Sequence, residues 1–443
     1  MKSKPFLSKS TFIRGMQCEK SLYLHKKRPF LRDRLSPEQL AKFRRGHDVG
    51  FLAQQLFPGG IDLTPAGPAR VALAAQKTAG LIGGDEKLIY EAAFEFNGVR
   101  IFIDILHHDG NAWHAVEVKS SRRLSETYMQ DAALQLYVMK GAGLAVETIS
   151  LAYINDSYIR DGAIDIHKLF TIEDVTLRAK ALEGQTIERI EAFRKVDQLT
   201  SSPEIPVGAQ CFFPYPCDFF GHCWKKILPA YYEGFSDYVH REKSSWFTWL
   251  MSGAATPVVL SLLCVRPAIP VFDGTRPYQL MPVSVMMGRP DSAQNFVWLT
   301  NPAMPYDPGS STKKLRQEIN AQESLVVFDA GELTVLCDIT AHNSHGPGIL
   351  DIHEKLNSFS PLNMASIPVS DLSQALSMLG QKKKKHSAAF KNLAEFRQAW
   401  LTRLDNSANG EPPEVFMEQS REFHEVHHEN LLQLTRYLMK ESH

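Results

Sequence analysis

The chain has 443 residues, six cysteines, and 49 basic against 49 acidic side chains. That length allows two or three domains with substantial cores, and a net charge of zero excludes a uniformly basic nucleic-acid binder. The longest apolar run, Ala254–Val265, is broken by Pro257 and falls short of the roughly 20 residues that cross a bilayer, so no membrane span is expected. No leader peptide is recognisable and no disulfide framework is needed at this size, so a cytoplasmic location is expected.

Charge is uneven along the chain. Residues 1–50 carry 13 Lys and Arg against four Asp and Glu, with dense groups at Lys26-Lys27-Arg28 and Arg44-Arg45. Ser8–Arg28 reads as a short strand or cap followed by a helix bearing Cys18. Ser36–Leu56 reads as a helix with Ser36 as N-cap and Glu38 or Gln39 completing a capping box. Tyr23, Phe30 and Phe43 read first as core residues and second as stacking partners for bases. Residues 69–81 form a helix rich in Ala and Leu. Two apolar-rich runs, Val99–Leu106 and Trp113–Val118, flank a His-Asp-Gly-Asn turn signal and predict a β-hairpin. A helix over 128–143, a strand over Glu147–Asn155 and one long charged helix over Thr171–Leu199 follow.

The hairpin carries the chemistry. A two-residue turn at Gly110-Asn111 sets Asp104 directly opposite Glu117, and Lys119 shares the face of Glu117 because side chains alternate along a strand. Like charges placed opposite each other are destabilising without a partner; a divalent cation between them removes the conflict. Hard carboxylate oxygens suit Mg²⁺ or Mn²⁺, and such an ion activates water and stabilises charge on a phosphate under attack. Lys119 would orient that water or neutralise the phosphate. Glu91 is the expected supporting acid, with Glu95 as its competitor. Arg122 and Arg123, just beyond Lys119, and Arg44 and Arg45 are candidate phosphate contacts. A surface hairpin with scattered charges is the plainer alternative.

An acidic residue, an Asp in an apolar strand and a hairpin into Glu117-Val118-Lys119 together resemble the core of the PD-(D/E)xK nucleases of the RecB-like branch. The resemblance implies a supporting Gln or Tyr on the next helix, and Tyr128–Gly143 is the matching segment. Its usual Gln-x-x-x-Tyr spacing is absent; Gln135 is the better match, with Asp131 one helical turn before it. A metal-binding His in the pattern Gly-x-x-x-His is also common there, but here Gly46 is followed directly by His47 and Gly50 holds the expected place. Cys18 before the core and Cys211-x5-Cys217-x5-Cys223 after it are similar to the iron–sulfur members of this branch, including CRISPR-associated exonucleases. That likeness implies a [4Fe–4S] cluster stapling the domain ends together, shielded by Phe213, Phe219, Phe220 and Trp224. Zn²⁺ is the alternative, with His222 as a substitute ligand. Cys264 and Cys337 read as ordinary buried thiols.

Beyond Pro229 the chain becomes Pro-punctuated. The stretch from Pro267 to Val285 resembles an uncharacterised domain that follows iron–sulfur RecB-like nucleases and is similar to DnaQ-type, RNase H-like exonucleases. Such enzymes need carboxylates on their first strand, and Ser261–Arg266 has none; Asp329 and Glu332 remain of a second motif, and His427-His-Glu-Asn430 replaces the last. Lys382–Lys385 reads as a solvated loop, Asn406–Pro413 as a linker, and Val415–Met439 as a helix with a buried face.

The expectation is therefore α/β throughout: a restriction-endonuclease-like mixed sheet flanked by helices over 1–230, and a degenerate RNase H-like domain over 231–443. The resemblance implies a Mg²⁺- or Mn²⁺-dependent DNA nuclease, an exonuclease or an endonuclease acting on single-stranded ends or flaps, with Glu91, Asp104, Glu117, Lys119 and Gln135 at its site. It would act in DNA repair, CRISPR adaptation or antiphage defence, with a protein partner or second copy bound through the C-terminal domain. The opposing reading is a catalytically vestigial module that binds nucleic acid or a partner.

Overall fold

Strand pairing around the expected hairpin organises the first half of the chain. The computed structural model describes residues 6–35, 37–158 and 163–250, and beyond them 256–265, 271–272, 277–278, 281–290, 292–298, 315, 317–333, 348–361, 366–386, 389–405 and 414–440. The chain divides into two compact units, Met1–Cys223 and Trp224–His443. Both are α/β, with helices packed on mixed sheets.

The first unit runs β1 (Leu7–Ser8), α1 (Lys9–Gln17), α2 (Glu19–Lys27), α3 (Pro37–Gln54), β2 (Ile61–Asp62), α4 (Pro68–Ile82), β3 (Leu88–Phe96), β4 (Val99–His108) and β5 (Trp113–Lys119). It continues with α5 (Glu126–Gly141), β6 (Val146–Ile154), α6 (Ile166–Leu169), β7 (Phe170–Asp174), α7 (Thr176–Ala181) and α8 (Glu183–Gln198). Its sheet has the order β2-β3-β4-β5-β6-β7, with β1 added against β4. The β4–β5 turn forms as the sequence dictates. Asp109 Oδ1 accepts the N–H groups of Asn111 and Ala112 at 2.8 and 2.9 Å, and Gly110 takes φ +105°, a conformation open to glycine at little cost.

Strands β4 and β5 pair from His108↔Trp113 to Ile105↔Val116 and no further. Past that point β1 takes up the freed edge of β4 in parallel, Leu7↔Val99 and Ser8↔Arg100. The divergence lets the start of α1 reach the end of β5. Strand β6 then runs parallel to β5, reached through α5, whose Met129, Ala132, Ala133, Leu134, Leu136, Val138 and Met139 join the core with Ile101, Ile103, Ile149 and Leu151.

Two expectations are corrected. Residues 170–174 form β7, an edge strand antiparallel to β6, and the long helix is broken into α7 and α8. Phe170 is buried and Ile172 exposed, so this Phe-Thr-Ile-Glu-Asp run finds ladder partners that a helical reading overlooks. Asp174 Oδ1 then accepts the Thr176 N–H at 2.8 Å beside the start of α7. Cys18 lies in extended backbone between α1 and α2, not within a helix. The expected cap at Ser36 lies outside the described residues.

In the second unit the described strands β8 (Val258–Val265), β9 (Val271–Phe272), β10 (Pro277–Tyr278), β11 (Met281–Gly288), β12 (Asn295–Trp298), β13 (Ser324–Val327) and β14 (Gly348–Asp351) form two sheets. β9 and β10 pair as a small ribbon, and the main sheet has the order β12-β11-β8-β13-β14. β8, β11 and β12 are antiparallel, whereas β13 joins β8, and β14 joins β13, in parallel. The helices Leu393–Asp405 and Glu414–Met439 supply Phe396, Trp400 and Phe423, which pack with Leu263, Val265 and Val283. Among the described residues no helix is long and apolar enough to cross a membrane. Asn406–Pro413 and Cys337 lie outside the described residues.

Candidate active site

Three carboxylates fall in one cross-strand row. The pairs Tyr90↔Ile105 and Ala92↔Ile103 bracket Glu91 opposite Asp104, and the β4–β5 register carries on from Ile105↔Val116 to set Asp104 opposite Glu117. Both positions leave the regular ladder. Glu91 has φ +54°, a left-handed conformation that is unusual for a residue with a long side chain. Asp104 Oδ2 accepts the N–H of Val118 at 2.6 Å, so a side chain takes the donor freed where the strands part.

Cations and an amide surround Glu117, which is buried. Lys119 Nζ lies 2.9 Å from Glu117 Oε1 and 2.6 Å from Asp131 Oδ2, with the Tyr128 ring centroid at 4.8 Å. Lys9 Nζ reaches the same Oε1 at 2.5 Å. Gln135 Nε2 donates to Glu117 Oε2 at 2.6 Å and to the Phe102 carbonyl at 3.2 Å. Asp131 and Gln135 are four apart on α5 and so share a face. Asp131 Oδ1 and Gln135 Oε1 are buried and have no hydrogen-bond partner among the described residues. Orphaned acceptors beside carboxylates are suited to a hydrated cation.

The electrostatics divide the acids. Burial, then Asp104 and Glu117, push Glu91 up to about 7. Burial, then Glu117, also raise Asp104, against the pull of Lys9 and the Val118 N–H. Burial penalises Glu117 as well, but the Lys119 and Lys9 ammonium groups and the Gln135 amide outweigh it, and its pKa is held well below the usual carboxylate range. Lys119 is likewise raised: burial opposes its charge, and Glu117 and Asp131 more than offset it. Burial and mutual repulsion thus raise Glu91 and Asp104 while the ammonium groups hold Glu117 low, a crowding of negative charge that a divalent cation would relieve.

Among the expected residues, Glu91, Asp104, Glu117, Lys119 and Gln135 share this cross-strand site, and Asp131 joins them. Glu95 instead pairs with Arg100. His47 is solvent-exposed on α3, and no contact ties it to these acids. Arg44 and Arg123 are exposed, Arg45 is half-buried, and Arg122 lies 3.6 Å from Asp156. Lys9 was not foreseen; it lies 108 residues from Glu117, and the brief β1–β4 pairing together with the packing of α1 on α5 brings it there. Of the aromatics, Tyr23 is core, whereas Phe30 and Phe43 are exposed. The expectation of core packing fails for those two: Phe43 lies on the face of α3 opposite buried Val49 and Ala53, and Phe30 sits in the turn before α3.

The four cysteines also meet. Cys18, Cys211, Cys217 and Cys223 line one cavity with Lys20, Ser21, Phe219 and Phe220. Cys217 N–H donates to the Cys211 carbonyl at 2.9 Å. Burial raises the Cys217 thiol, and burial together with the other three sulfurs pushes Cys223 up to about 11, against Lys20. Thiols crowded this way ionise readily only around a metal. Four soft donors on one cavity fit a thiolate-held group. His222 is exposed and does not line the cavity, and Phe213 is 65% exposed, so neither the substitute ligand nor that part of the shield is in place. Among the described residues no three His, Cys, Asp or Glu side chains converge tightly enough to hold one ion.

In the second unit, Glu332 pairs with Arg397 at 2.7 Å and Asp329 Oδ1 caps the Gly331 N–H. Where first-strand acids would lie, Ser261 bridges His424 and His428 at 3.0 and 2.7 Å, and Ser284 meets His424 at 2.7 Å. Burial lowers both His424 and His428, which favours their uncharged forms in this network.

No protein-family model and no curated protein matches the chain. Among solved structures, the crystal structure of SSO0001 aligns with 52% of this chain and 89% of its own, at 15% identity and a TM-score of 0.20. A likeness that slight carries no argument.

Proposed function

We propose that the chain is a metal-dependent nuclease of the PD-(D/E)xK type that hydrolyses DNA phosphodiesters. The observation that carries this reading is the row Glu91, Asp104 and Glu117 with Lys119 and Gln135 closing around its buried end. The helix–three-strand–helix–strand order α4-β3-β4-β5-α5-β6 supports it. Asp104 and Glu117 would hold Mg²⁺ or Mn²⁺, with Glu91 in support; when bound, the ion would polarise the phosphate and acidify a water. Lys119, anchored by Asp131, would present its ammonium to that water or to the phosphate. Gln135 holds Glu117 in place through its amide.

Cys18, Cys211, Cys217 and Cys223 would carry a [4Fe–4S] cluster, or Zn²⁺, joining the N-terminal helices to the segment after α8. The β12-β11-β8-β13-β14 order supports an RNase H-like second unit, and the buried Ser–His network supports its being degenerate, serving to bind nucleic acid, a protein partner or a second copy. A cytoplasmic role in DNA repair, CRISPR adaptation or antiphage defence accords with this reading.

A second reading has its own observation. Both oxygens of Glu117 are committed, Oε1 to two lysines and Oε2 to Gln135, as in a structural ion-pair network. On that reading the site is vestigial. Incubating end-labelled single-stranded DNA with Mn²⁺ separates the two. Cleavage by the wild type, abolished by EDTA and by Lys119→Ala, is expected; equal nicking by both proteins, or none by either, supports the vestigial site.

A further inference from the structure

The N-terminal region exposes aromatic rings where a soluble domain would bury them. Phe30 is 79% exposed, Phe51 69% and Phe43 52%. Leu40, Phe43, Arg44, His47 and Phe51 recur at helical spacing and form one face of α3, opposite buried Val49 and Ala53. Phe30 sits in the turn before α3, flanked by exposed Lys27, Arg28, Arg32 and Arg34; of these, Arg32 pairs with Asp218. Helix α3 packs beside β5, the strand that carries Glu117 and Lys119.

From this arrangement we infer that α3 and the turn before it form a stacking platform for single-stranded nucleic acid leading to the carboxylate row. Rings interleaved with cations match a flexible polyanion whose unstacked bases each offer a flat face. An apolar protein partner would gain little from the basic residues around Phe30, and the charge of Lys27, Arg28 and Arg34, with Arg32 shared with Asp218, favours the nucleic acid. Duplex DNA keeps its bases stacked internally and has no use for exposed phenyl rings. The platform names the form of substrate for the nuclease proposed above and rests on that reading for its direction toward the site.

The test is fluorescence anisotropy of a labelled oligothymidylate with the full-length protein in EDTA, so that binding is read without cleavage. Phe43→Ala with Phe51→Ala should weaken binding by roughly tenfold or more, the scale of lost base stacking. Phe43→Trp with Phe51→Trp should retain it, and Arg44→Ala should flatten the salt dependence. All replacements lie on the surface, so an unchanged melting temperature verifies folding. Wild-type affinity in the double alanine variant overturns the platform. So does a wild type that ignores the oligonucleotide but self-associates through these rings, which would assign the face to a second copy. Ring-dependent binding without any Mn²⁺-dependent cutting would leave the platform standing and remove the nuclease reading; cutting that is indifferent to the rings does the reverse.

Discussion

Lys9 Nζ and Lys119 Nζ meet at a single oxygen of Glu117, at 2.5 and 2.9 Å, although 110 residues of the first unit's sequence separate the two lysines. Two ammonium groups on one carboxylate oxygen hold the place that a divalent cation would compete for. That competition makes Lys9 the most informative residue that sequence patterns did not reveal.

Lys9→Ala should bind Mn²⁺ more tightly than the wild type, because a competing cation has gone. In EDTA it should be less stable by about 1–3 kcal/mol and melt lower, since a charged hydrogen bond to a buried carboxylate is lost while Lys119 remains. Isothermal titration and thermal denaturation measure the two effects, which run in opposite directions; a variant weaker in both would mean that Lys9 only supports the fold.

Lys119→Ala should be more damaging to the fold. It strips charge compensation from buried Glu117 and Asp131 together, and breaking a buried pair costs about 3–5 kcal/mol. Lys119→Arg should recover stability only in part, because a planar guanidinium does not reproduce the point contacts that the ammonium makes with Glu117 and Asp131 over the Tyr128 ring. Chemical denaturation of the three proteins reads the order.

The pH dependence has a definite sign. Glu91 is raised from 4.5 to about 7 and Asp104 is raised as well, so the folded state holds more protons than the unfolded chain through that window. Stability contributed by these protons is present below the unfolded pKa and lost as pH rises toward about 7. Glu117, held low, acts oppositely and loses its contribution as pH falls below the ordinary glutamate range. In EDTA the melting temperature should therefore fall between pH 5 and 7.5, as expected from linkage at about these pKa values. Glu91→Gln should flatten that slope, and Mn²⁺ should raise the melting temperature most at the upper end.

Anaerobically purified protein should be brown, with absorbance near about 400 nm from thiolate-held iron. Cys217→Ser or Cys223→Ser should bleach it and lower the melting temperature, because both sulfurs line the shared cavity. A colourless protein loaded with zinc would assign the four thiolates to Zn²⁺ instead.

What sequence could reveal followed local periodicity. The turn at Asp109-Gly110-Asn111 sets the hairpin register by its own side-chain bonds, and a period of two then aligns Asp104, Glu117 and Lys119. A period of 3.6 likewise places Asp131 and Gln135 together on α5. Lys9 carries no such signal, because a two-residue parallel pairing and the packing of α1 on α5 position it. The five-residue strand β7 was hidden for a related reason: it is short, lies at the sheet edge and runs directly into helices. Phe30 and Phe43 read first as core residues because large aromatics are usually buried, and sequence alone does not reveal which face of α3 finds a partner.

The most direct test is Mn²⁺ binding followed by electron paramagnetic resonance on the wild type, Asp104→Asn and Glu117→Gln. A hard-cation site across β4 and β5 predicts Mn²⁺ bound by the wild type and weakened at least about tenfold in each variant, on the scale of a lost ligand or its support. Wild-type affinity in both variants, or no binding by any of the three, would contradict it.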